Sequence, residues 1–302
     1  MLLEGDCFKI RGAMKRHNWA FLHAVAGLLA RARLGAVLVN VDALEDWQPL
    51  IRTFGAPKLL LFTRDRALAE KLLTDHIYSL VIPQVELTRR GEARAALTIA
   101  LLKGWLKRSE KIAFVSGSAQ SKLLDTLLIL KPKEELKILR AKSLKLLSGG
   151  IQPEVFETTL TIALELAQEG REGKPIGTMF VLGDARNVMR LSHQMVLNPF
   201  KGYTTHARNI LDPALKESIR EFATLDGAFV IRRDGVVLAA GRYISTPNFQ
   251  KELPAGLGTR HQAAAAITQA TKAIAIAISE STGTVRAFRR GEIFLELEKA
   301  AE

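Results

Sequence analysis

The amino-acid sequence predicts an α/β protein with two domains, and three observations lead to this prediction. Short apolar runs alternate with amphipathic helical segments through the first half of the chain, which is typical of an open, mostly parallel sheet covered by helices. In the second half, paired apolar runs are joined by short polar or glycine-containing turns, which indicates hairpins in a mixed sheet. Between the halves, Gly149, Gly150 and Pro153 interrupt the helical pattern.

We therefore expect a first domain over residues 1–148 and a second over residues 149–302. The first is predicted to be a three-layer α/β domain with a mostly parallel sheet, and the second a mixed β-sheet surrounded by helices. The strands predicted for the first domain are short apolar runs bounded by turn or polar residues, at 35–43, 58–63, 79–84 and 111–117.

A glycine- and serine-containing turn, "VSGSAQS" at residues 115–121, follows the last of these strands. We interpret it as a strand-to-helix turn, a type that can hold a phosphate at the helix start. It has neither a Walker lysine nor a full dinucleotide fingerprint, so a plain loop with a helix cap is favoured over a phosphate site.

The second domain begins with a predicted helix, "PEVFETTLTIALELAQEG", followed by a strand, "IGTMFVLGD". Asp212 and Pro213 are typical of an N-cap and a first helical position. Two apolar runs flank Arg233, Asp234 and Gly235, which predicts a hairpin. A second pair of strands is predicted in "AIAIAISESTGTVRAFRRG", joined by a Ser/Thr/Gly turn.

Composition bounds the class of protein. Of the 302 residues, 48% are hydrophobic and 25% charged, which is a globular balance. The single cysteine, Cys7, excludes an intrachain disulfide and a cysteine-based metal site. The apolar stretch near the N-terminus is interrupted by His23 and by basic residues at 31 and 33, so we expect neither a signal peptide nor a membrane partner. We expect a cytoplasmic protein.

The net charge of +12 favours polyanionic ligands, which include nucleotides, nucleic acids and anionic membrane surfaces. The chain has no zinc-finger, helix-hairpin-helix or aromatic RNA-binding pattern. Net charge by itself is therefore a weak indication of the ligand, and a solvated basic surface explains much of the positive excess.

The stretch "LGTRHQAAAA" at residues 257–266 predicts the start of a helix. Thr259 and Gln262 have the spacing of a capping box, which would place Arg260 and His261 in the first turn. Basic side chains at the positive end of a helix dipole are unfavourable unless an anion lies there.

A phosphate chain is an anion that suits this arrangement, because helix amides, a guanidinium and an imidazole can all bind it. Gly258 leaves room for a ligand to approach the backbone closely. The alternative is an exposed turn whose charges point into water.

Two further stretches carry candidate carboxylates. Asp226 is followed by the small residues Gly227 and Ala228, which leave its carboxylate open to a metal ion or a hydroxyl proton. Glu280 lies among hydroxyl side chains in "SESTG". Each stretch taken alone is more typical of a turn.

Five stretches of the sequence, taken together, are much more specific than any one of them alone. "EGREGKPIGTMFVLGD", "NPFKGY", "LDGAFVI", "LGTRHQAA" and "SESTG", in this order, closely resemble the diadenylate cyclase domain over about residues 151–298. This family condenses two ATP molecules into cyclic di-AMP and two pyrophosphates. The first half is similar to the pyruvate-kinase C-terminal-like domain that precedes the cyclase domain in an archaeal-type subgroup.

The resemblance implies roles for particular residues. The family signature Asp-Gly-Ala is intact, whereas Arg-His-Arg is here Arg-His-Gln, with Gln262 in the third place. Asp226 would be the catalytic residue and the ligand of a Mn²⁺ or Mg²⁺ ion. The residues expected to bind ATP are Gly227, Ala228, Gly258, Thr259, Arg260, His261, Ser279 and Glu280. The family also implies a homo-oligomer with apposed cyclase domains, each bringing one ATP.

A different function stays open. A nucleotide-sensing or nucleic-acid-binding module that has lost catalysis would also explain the net charge and the glutamine in place of the third basic residue. On the cyclase interpretation we do not expect nucleic acid to be a partner.

Overall fold

The structure, a computed structural model, describes residues 14–54, 58–136, 150–170, 174–245 and 257–298. Contacts divide it into two compact units, Met1–Ile82 with Ala95–Glu135, and Pro83–Arg94 with Leu136–Glu302. The predicted domain boundary at residues 148 and 149 lies outside the described residues. Within the described ranges, no helix combines the length and apolar character needed to cross a membrane.

The first unit is built on a five-stranded sheet of order β3-β2-β1-β4-β5. Its helices and strands, in chain order, are α1 (Arg16–Ala32), β1 (Ala36–Asn40), α2 (Gln48–Thr53), β2 (Lys58–Thr63), α3 (Arg66–Thr74), β3 (Ser79–Val81), α4 (Arg89–Leu102), β4 (Ile112–Ser118), β5 (Leu123–Leu130) and α5 (Pro132–Glu135). The division between the units falls inside α4, after Arg94.

The predicted mostly parallel sheet is confirmed. β1 pairs in parallel with both β2 and β4, and β2 with β3, while β5 is antiparallel. Every residue of β1 is buried, as expected for a central parallel strand covered on both faces. Phe62 and Phe114 stack with ring centroids 5.1 Å apart.

The turn after β4 differs from the prediction. Residues 115–121 lead into β5, which pairs with β4 as an antiparallel hairpin, so the predicted strand-to-helix turn is wrong. The register shifts between Ser116 and Gly117, and a side chain on Gly117 would collide with the backbone of Leu123. The glycine therefore serves a bulge in the hairpin and not a phosphate-binding loop.

The second unit carries a seven-stranded mixed sheet of order β12-β11-β10-β6-β8-β9-β7. Its elements, in chain order, are α6 (Pro153–Glu169), β6 (Met179–Leu182), α7 (Ala185–Arg190), β7 (Ser192–Gln194), α8 (Lys216–Phe222), β8 (Ala228–Ile231), β9 (Val237–Ile244), α9 (Thr259–Ala270), β10 (Ile274–Ile278), β11 (Val285–Arg289) and β12 (Glu292–Leu297). This agrees with the predicted mixed sheet and its helices.

Three features predicted for this unit are confirmed. β8 and β9 form the hairpin around Asp234, and β10 and β11 form the second hairpin. Asp212 accepts a hydrogen bond from the amide of Ala214 and so caps the short 3₁₀ turn Pro213–Leu215 that precedes α8. The strands β7 and β12 were not predicted.

The centre of the sheet positions the candidate site. β6 pairs in parallel with β8 and antiparallel with β10, so it lies between them. The alanine-rich helix α9 buries Ala264, Ala265 and Ile267 in the same apolar core as these strands. Consequently, the start of β8, the end of β10 and the start of α9 are held by one core.

The backbone of Gly227, immediately before β8, lies close to the backbone of β9. Its φ is +104°, and a Cβ atom there would lie 2.7 Å from the amide nitrogen of Arg242 and 2.8 Å from the carbonyl carbon of Gly241. Both the backbone angle and the space therefore require glycine immediately after Asp226.

We expect Gly227→Ala to destabilise the protein by about 1–3 kcal/mol or more, because it combines an unfavourable φ with a backbone collision. Gly258→Ala is the matched control, since a Cβ atom at Gly258 would meet nothing within 4 Å and its φ is −73°. The control should cost less than about 1 kcal/mol. Urea unfolding followed by circular dichroism measures both, and equal midpoints would show that the close approach at Gly227 is unimportant.

Candidate active site

The guanidinium of Arg260 lies between two carboxylates. Its Nη1 donates a hydrogen bond to Oε2 of Glu280 over 3.1 Å, and its Nη2 donates to Oδ1 of Asp226 over 3.4 Å. Asp226 lies two residues before β8, Glu280 lies two residues after β10, and Arg260 is the second residue of α9. The fold therefore brings together three sequence-predicted residues that are far apart in the chain.

The start of α9 differs from the predicted capping box. The N-cap is Gly258, whose carbonyl accepts from the amides of His261 and Gln262, and Thr259 is already helical. No side chain caps this end, and Gln262 is exposed, so the prediction that Thr259 and Gln262 cap the helix is wrong. Glycine takes the extended cap conformation (ψ 176°) readily, which moves the helix start by one residue.

A glycine that sequence reasoning missed makes room for the guanidinium. A Cβ atom on Gly177 would lie 2.8 Å from Nη1 of Arg260 and 3.0 Å from Cβ of Glu280. Gly177 lies two residues before β6, inside the quoted segment "IGTM". An unexplained glycine just before a buried strand was the signal that could have identified it.

The carboxylate of Asp226 faces solvent, with its side chain 74% exposed. It also accepts a hydrogen bond from the amide of Gly227 at 3.0 Å. Ala228 is fully buried as the first residue of β8, so it contributes to the strand and leaves the carboxylate open. Asp226 is accessible to a ligand from solution while Arg260 holds one of its oxygens.

Ser279 and Glu280 lie in the turn between β10 and β11. The Ser279 amide donates to the carbonyl of Thr284, and its own carbonyl accepts from the Gly283 amide. Its hydroxyl lies 3.3 Å from that of Ser281. This closed turn fixes the backbone from which Glu280 reaches Arg260.

His261 does not join the carboxylate cluster. Its side chain is buried, with the residue only 4% exposed, and its Nε2 lies 3.4 Å from Nη1 of Arg286. Burial, followed by the nearby charge of Arg286, lowers the pKa of His261 to about 4. The imidazole is therefore uncharged near neutral pH. Of the two adjacent residues Arg260 and His261, only Arg260 carries a positive charge. A direct contact between His261 and ATP stays a prediction.

An open cleft of about 250 Å³ adjoins the site. It lies between the end of α6 (residues 167–170), the segment 174–176 and the turn 279–283. Glu280 borders this cleft and also contacts Arg260, so it belongs to both the cleft and the carboxylate cluster. Lys174, which the sequence reasoning did not single out, also lines the cleft.

The donor set suits a hard divalent cation only in part. No group of three or more His, Cys, Asp or Glu side chains gathers into a metal site within the described ranges. Asp226 and Glu280 nevertheless place two carboxylates around one guanidinium. Mg²⁺ is commonly bound by one or two carboxylates together with substrate phosphates, so the arrangement fits an ion that arrives with a nucleotide.

Known proteins similar in sequence to this chain include diadenylate cyclases. Residues 165–293 match the family described as "DisA bacterial checkpoint controller nucleotide-binding". The chain is 35% identical over 248 residues to a diadenylate cyclase from Methanocaldococcus jannaschii, covering 81% of this chain and 79% of that one. It is 40% identical over 149 residues to a diadenylate cyclase from Haloferax volcanii, covering 49% of this chain and 54% of that one.

Among solved structures, a double mutant of DacA from Staphylococcus aureus aligns with a TM-score of 0.31 and 19% identity, over 46% of this chain and 84% of that one. The sequence match to the M. jannaschii protein spans about four-fifths of both chains. The region matched by the family, residues 165–293, contains Asp226, Arg260 and Glu280. The chain belongs to the diadenylate cyclase family.

Proposed function

We propose that this chain condenses two ATP molecules into 3′,5′-linked cyclic di-AMP and releases two pyrophosphates. The observation that carries the proposal is the guanidinium of Arg260 held between Asp226 and Glu280 at the first turn of α9. Relatives named diadenylate cyclase support it. A triphosphate needs cationic and amide donors, and this turn provides both.

The triphosphate is proposed to bind at the start of α9. Arg260 can offer its two terminal nitrogens to phosphate oxygens once a bound ATP competes with the carboxylates. Gly258 and Thr259 are exposed at the same turn, so their backbone can approach the phosphates. Ser279 and Glu280 would line the same pocket from the β10–β11 turn, and Gly227 and Ala228 from the start of β8.

In the proposed reaction, the 3′-hydroxyl oxygen of each ATP attacks the α-phosphorus of the other. A new P–O bond forms, the bond to the β-phosphate oxygen breaks, and pyrophosphate leaves. Asp226, exposed beside Arg260, is assigned to accept the hydroxyl proton. Positioning and electrostatic stabilisation by Arg260 would supply most of the rate, because charge develops on phosphate oxygens.

We propose Mn²⁺ or Mg²⁺ as the metal and Asp226 as its protein ligand. When bound, such an ion neutralises phosphate charge and polarises the P–O bonds. Glu280 is close enough to the same guanidinium to act as a second carboxylate beside the ion.

The reaction requires two ATP molecules to face each other, so we propose a homo-oligomer with apposed cyclase domains. Exposed apolar side chains next to the site support this. Leu197 is 96% exposed, and Met195 and Val196 beside it are also exposed. A Cβ atom on Gly241 would lie 2.7 Å from Cγ2 of Val196 and 3.7 Å from the carbonyl oxygen of Asp226, so this loop adjoins the site.

For the rest of the chain, we propose a pyruvate-kinase C-terminal-like domain over residues 1–148, with a regulatory or assembly role, and a cyclase domain over 149–302. The mostly parallel sheet of the first unit is compatible with that type of domain. We also propose that the protein acts in the cytoplasm, where ATP is available.

The alternative is a nucleotide-binding module without catalysis, which the exposed Gln262 in place of a third basic residue favours. Incubation of the purified protein with ATP and Mn²⁺ or Mg²⁺, followed by mass spectrometry, separates the two. Cyclic di-AMP with two pyrophosphates per product supports the cyclase, and ATP binding without turnover supports the module.

In the same assay, Asp226→Asn should abolish product formation and leave the fold intact, because the substitution removes a charge but little volume. The side chain is mostly exposed, so its unfolding midpoint should stay close to that of the wild type. Asp234→Asn, in the turn at the other end of β8, is the matched control and should keep full activity. Turnover near the wild-type rate in Asp226→Asn would remove Asp226 from the mechanism.

Leu197→Glu should weaken self-association and lower specific activity together, because it places a charge in the exposed apolar loop beside the site. Leu197→Ala should have a smaller effect on both. Light scattering and the product assay, each over a dilution series, measure the two quantities. A fully monomeric Leu197→Glu protein that makes cyclic di-AMP at the wild-type rate would contradict apposed domains.

A further inference from the structure

A second polar group lies behind the first turn of α9. Arg286 on β11 and Glu296 on β12 are directly opposite each other in the antiparallel pair. Nε of Arg286 donates to Oε1 of Glu296 over 2.6 Å, and Nη1 of Arg286 lies 3.4 Å from Nε2 of the buried His261. The ion pair thus connects the strands β11 and β12 to the residue that follows Arg260.

The chemistry of arginine fixes the state of this imidazole. A guanidinium only donates hydrogen bonds, so Nε2 of His261 must be the acceptor and the proton must reside on Nδ1. The ionisable groups acting on the ring are Arg260 of its own helix, Arg286 of β11 and Glu296 of β12. The ring of Phe288 covers it edge-on, with centroids 5.9 Å apart.

We propose that the Arg286–Glu296 pair is a positioning element that holds neutral His261 as a hydrogen-bond acceptor and thereby fixes where Arg260 presents its guanidinium. This inference rests on the proposed function of the Arg260 site. Arg260 and His261 are adjacent in the first turn of α9 and point to different partners. A protonated imidazole could not accept from Arg286, and it would add a cation beside Arg286 and Arg260, so the turn would move.

The environment of His261 determines how the stability of the folded protein depends on pH. Burial and Arg286 lower the pKa of His261 to about 4, whereas Glu296 acts to raise it. The unfolded chain binds this proton near the ordinary pKa of about 6.5, so stability from neutral His261 is complete above that value and is lost as pH falls towards 4. Removing Arg286's charge should raise the pKa of His261, and removing Glu296's charge should lower it further.

The test uses the full chain with the variants Arg286→Gln, Arg286→Lys and Glu296→Gln. NMR titration of the His261 ring, assigned with His261→Gln, should show a pKa well below 6.5 in the wild type. It should rise in Arg286→Gln, stay low in Arg286→Lys, and fall in Glu296→Gln. Arg286→Gln should also lower kcat/KM for cyclic di-AMP by about 10- to 100-fold. The remaining activity should fall with decreasing pH through the raised pKa.

The matched control is Arg232→Gln, which breaks the exposed pair of Arg232 with Asp234 and should change neither the titration nor the pH profile. A wild-type His261 that titrates near 6.5, or shifts of the same sign in Arg286→Gln and Glu296→Gln, would overturn the proposal. So would a wild-type rate and pH profile in Arg286→Gln. If the wild type makes no cyclic di-AMP, the proposed function fails separately. Affinity for a non-hydrolysable ATP analogue then replaces the rate, with the same expected loss in Arg286→Gln.

Discussion

The geometry of the site depends on one interaction, the guanidinium of Arg260 held by the carboxylates of Asp226 and Glu280. An arginine at the positive end of a helix dipole is unfavourable by itself. Two carboxylates, delivered by the start of β8 and the end of β10, offset that cost in the absence of nucleotide. They also hold the guanidinium in place, so less side-chain freedom is lost when an anion replaces them.

The sheet makes this interaction possible. β6 separates β8 from β10, and the guanidinium spans that gap over Gly177, where any side chain would collide with it. Gly227 likewise lets the backbone next to Asp226 lie against that of Gly241 and Arg242, where a side chain would collide. The site therefore combines charged side chains with two glycines, Gly177 and Gly227, whose lack of a side chain lets the charged groups converge.

Much of this fold could be predicted because strand periodicity and turn chemistry are local. The hairpin around Asp234 and the cap at Asp212 follow from such signals. The helix start at Gly258 was missed because adjacent glycine and threonine compete for the cap, and their local preferences differ little. The burial of His261 could not be predicted, since it depends on Arg286 and Phe288, which both lie on β11, a strand distant from α9 in the sequence. Asp226, Glu280 and Arg260 were each recognised from the sequence, but the contact of Arg260 with both carboxylates was visible only in three dimensions.

The most direct test is the stabilisation that an ATP analogue confers. Melting curves of the wild type, Arg260→Ala and the control Arg232→Ala would be recorded with and without a non-hydrolysable ATP analogue and Mg²⁺. The ion pairs of Arg260 are partly exposed, so its loss should change the nucleotide-free stability by no more than about 1 kcal/mol. The nucleotide-induced rise in Tm should disappear in Arg260→Ala and persist in Arg232→Ala. A full rise in Arg260→Ala would show that the triphosphate binds elsewhere.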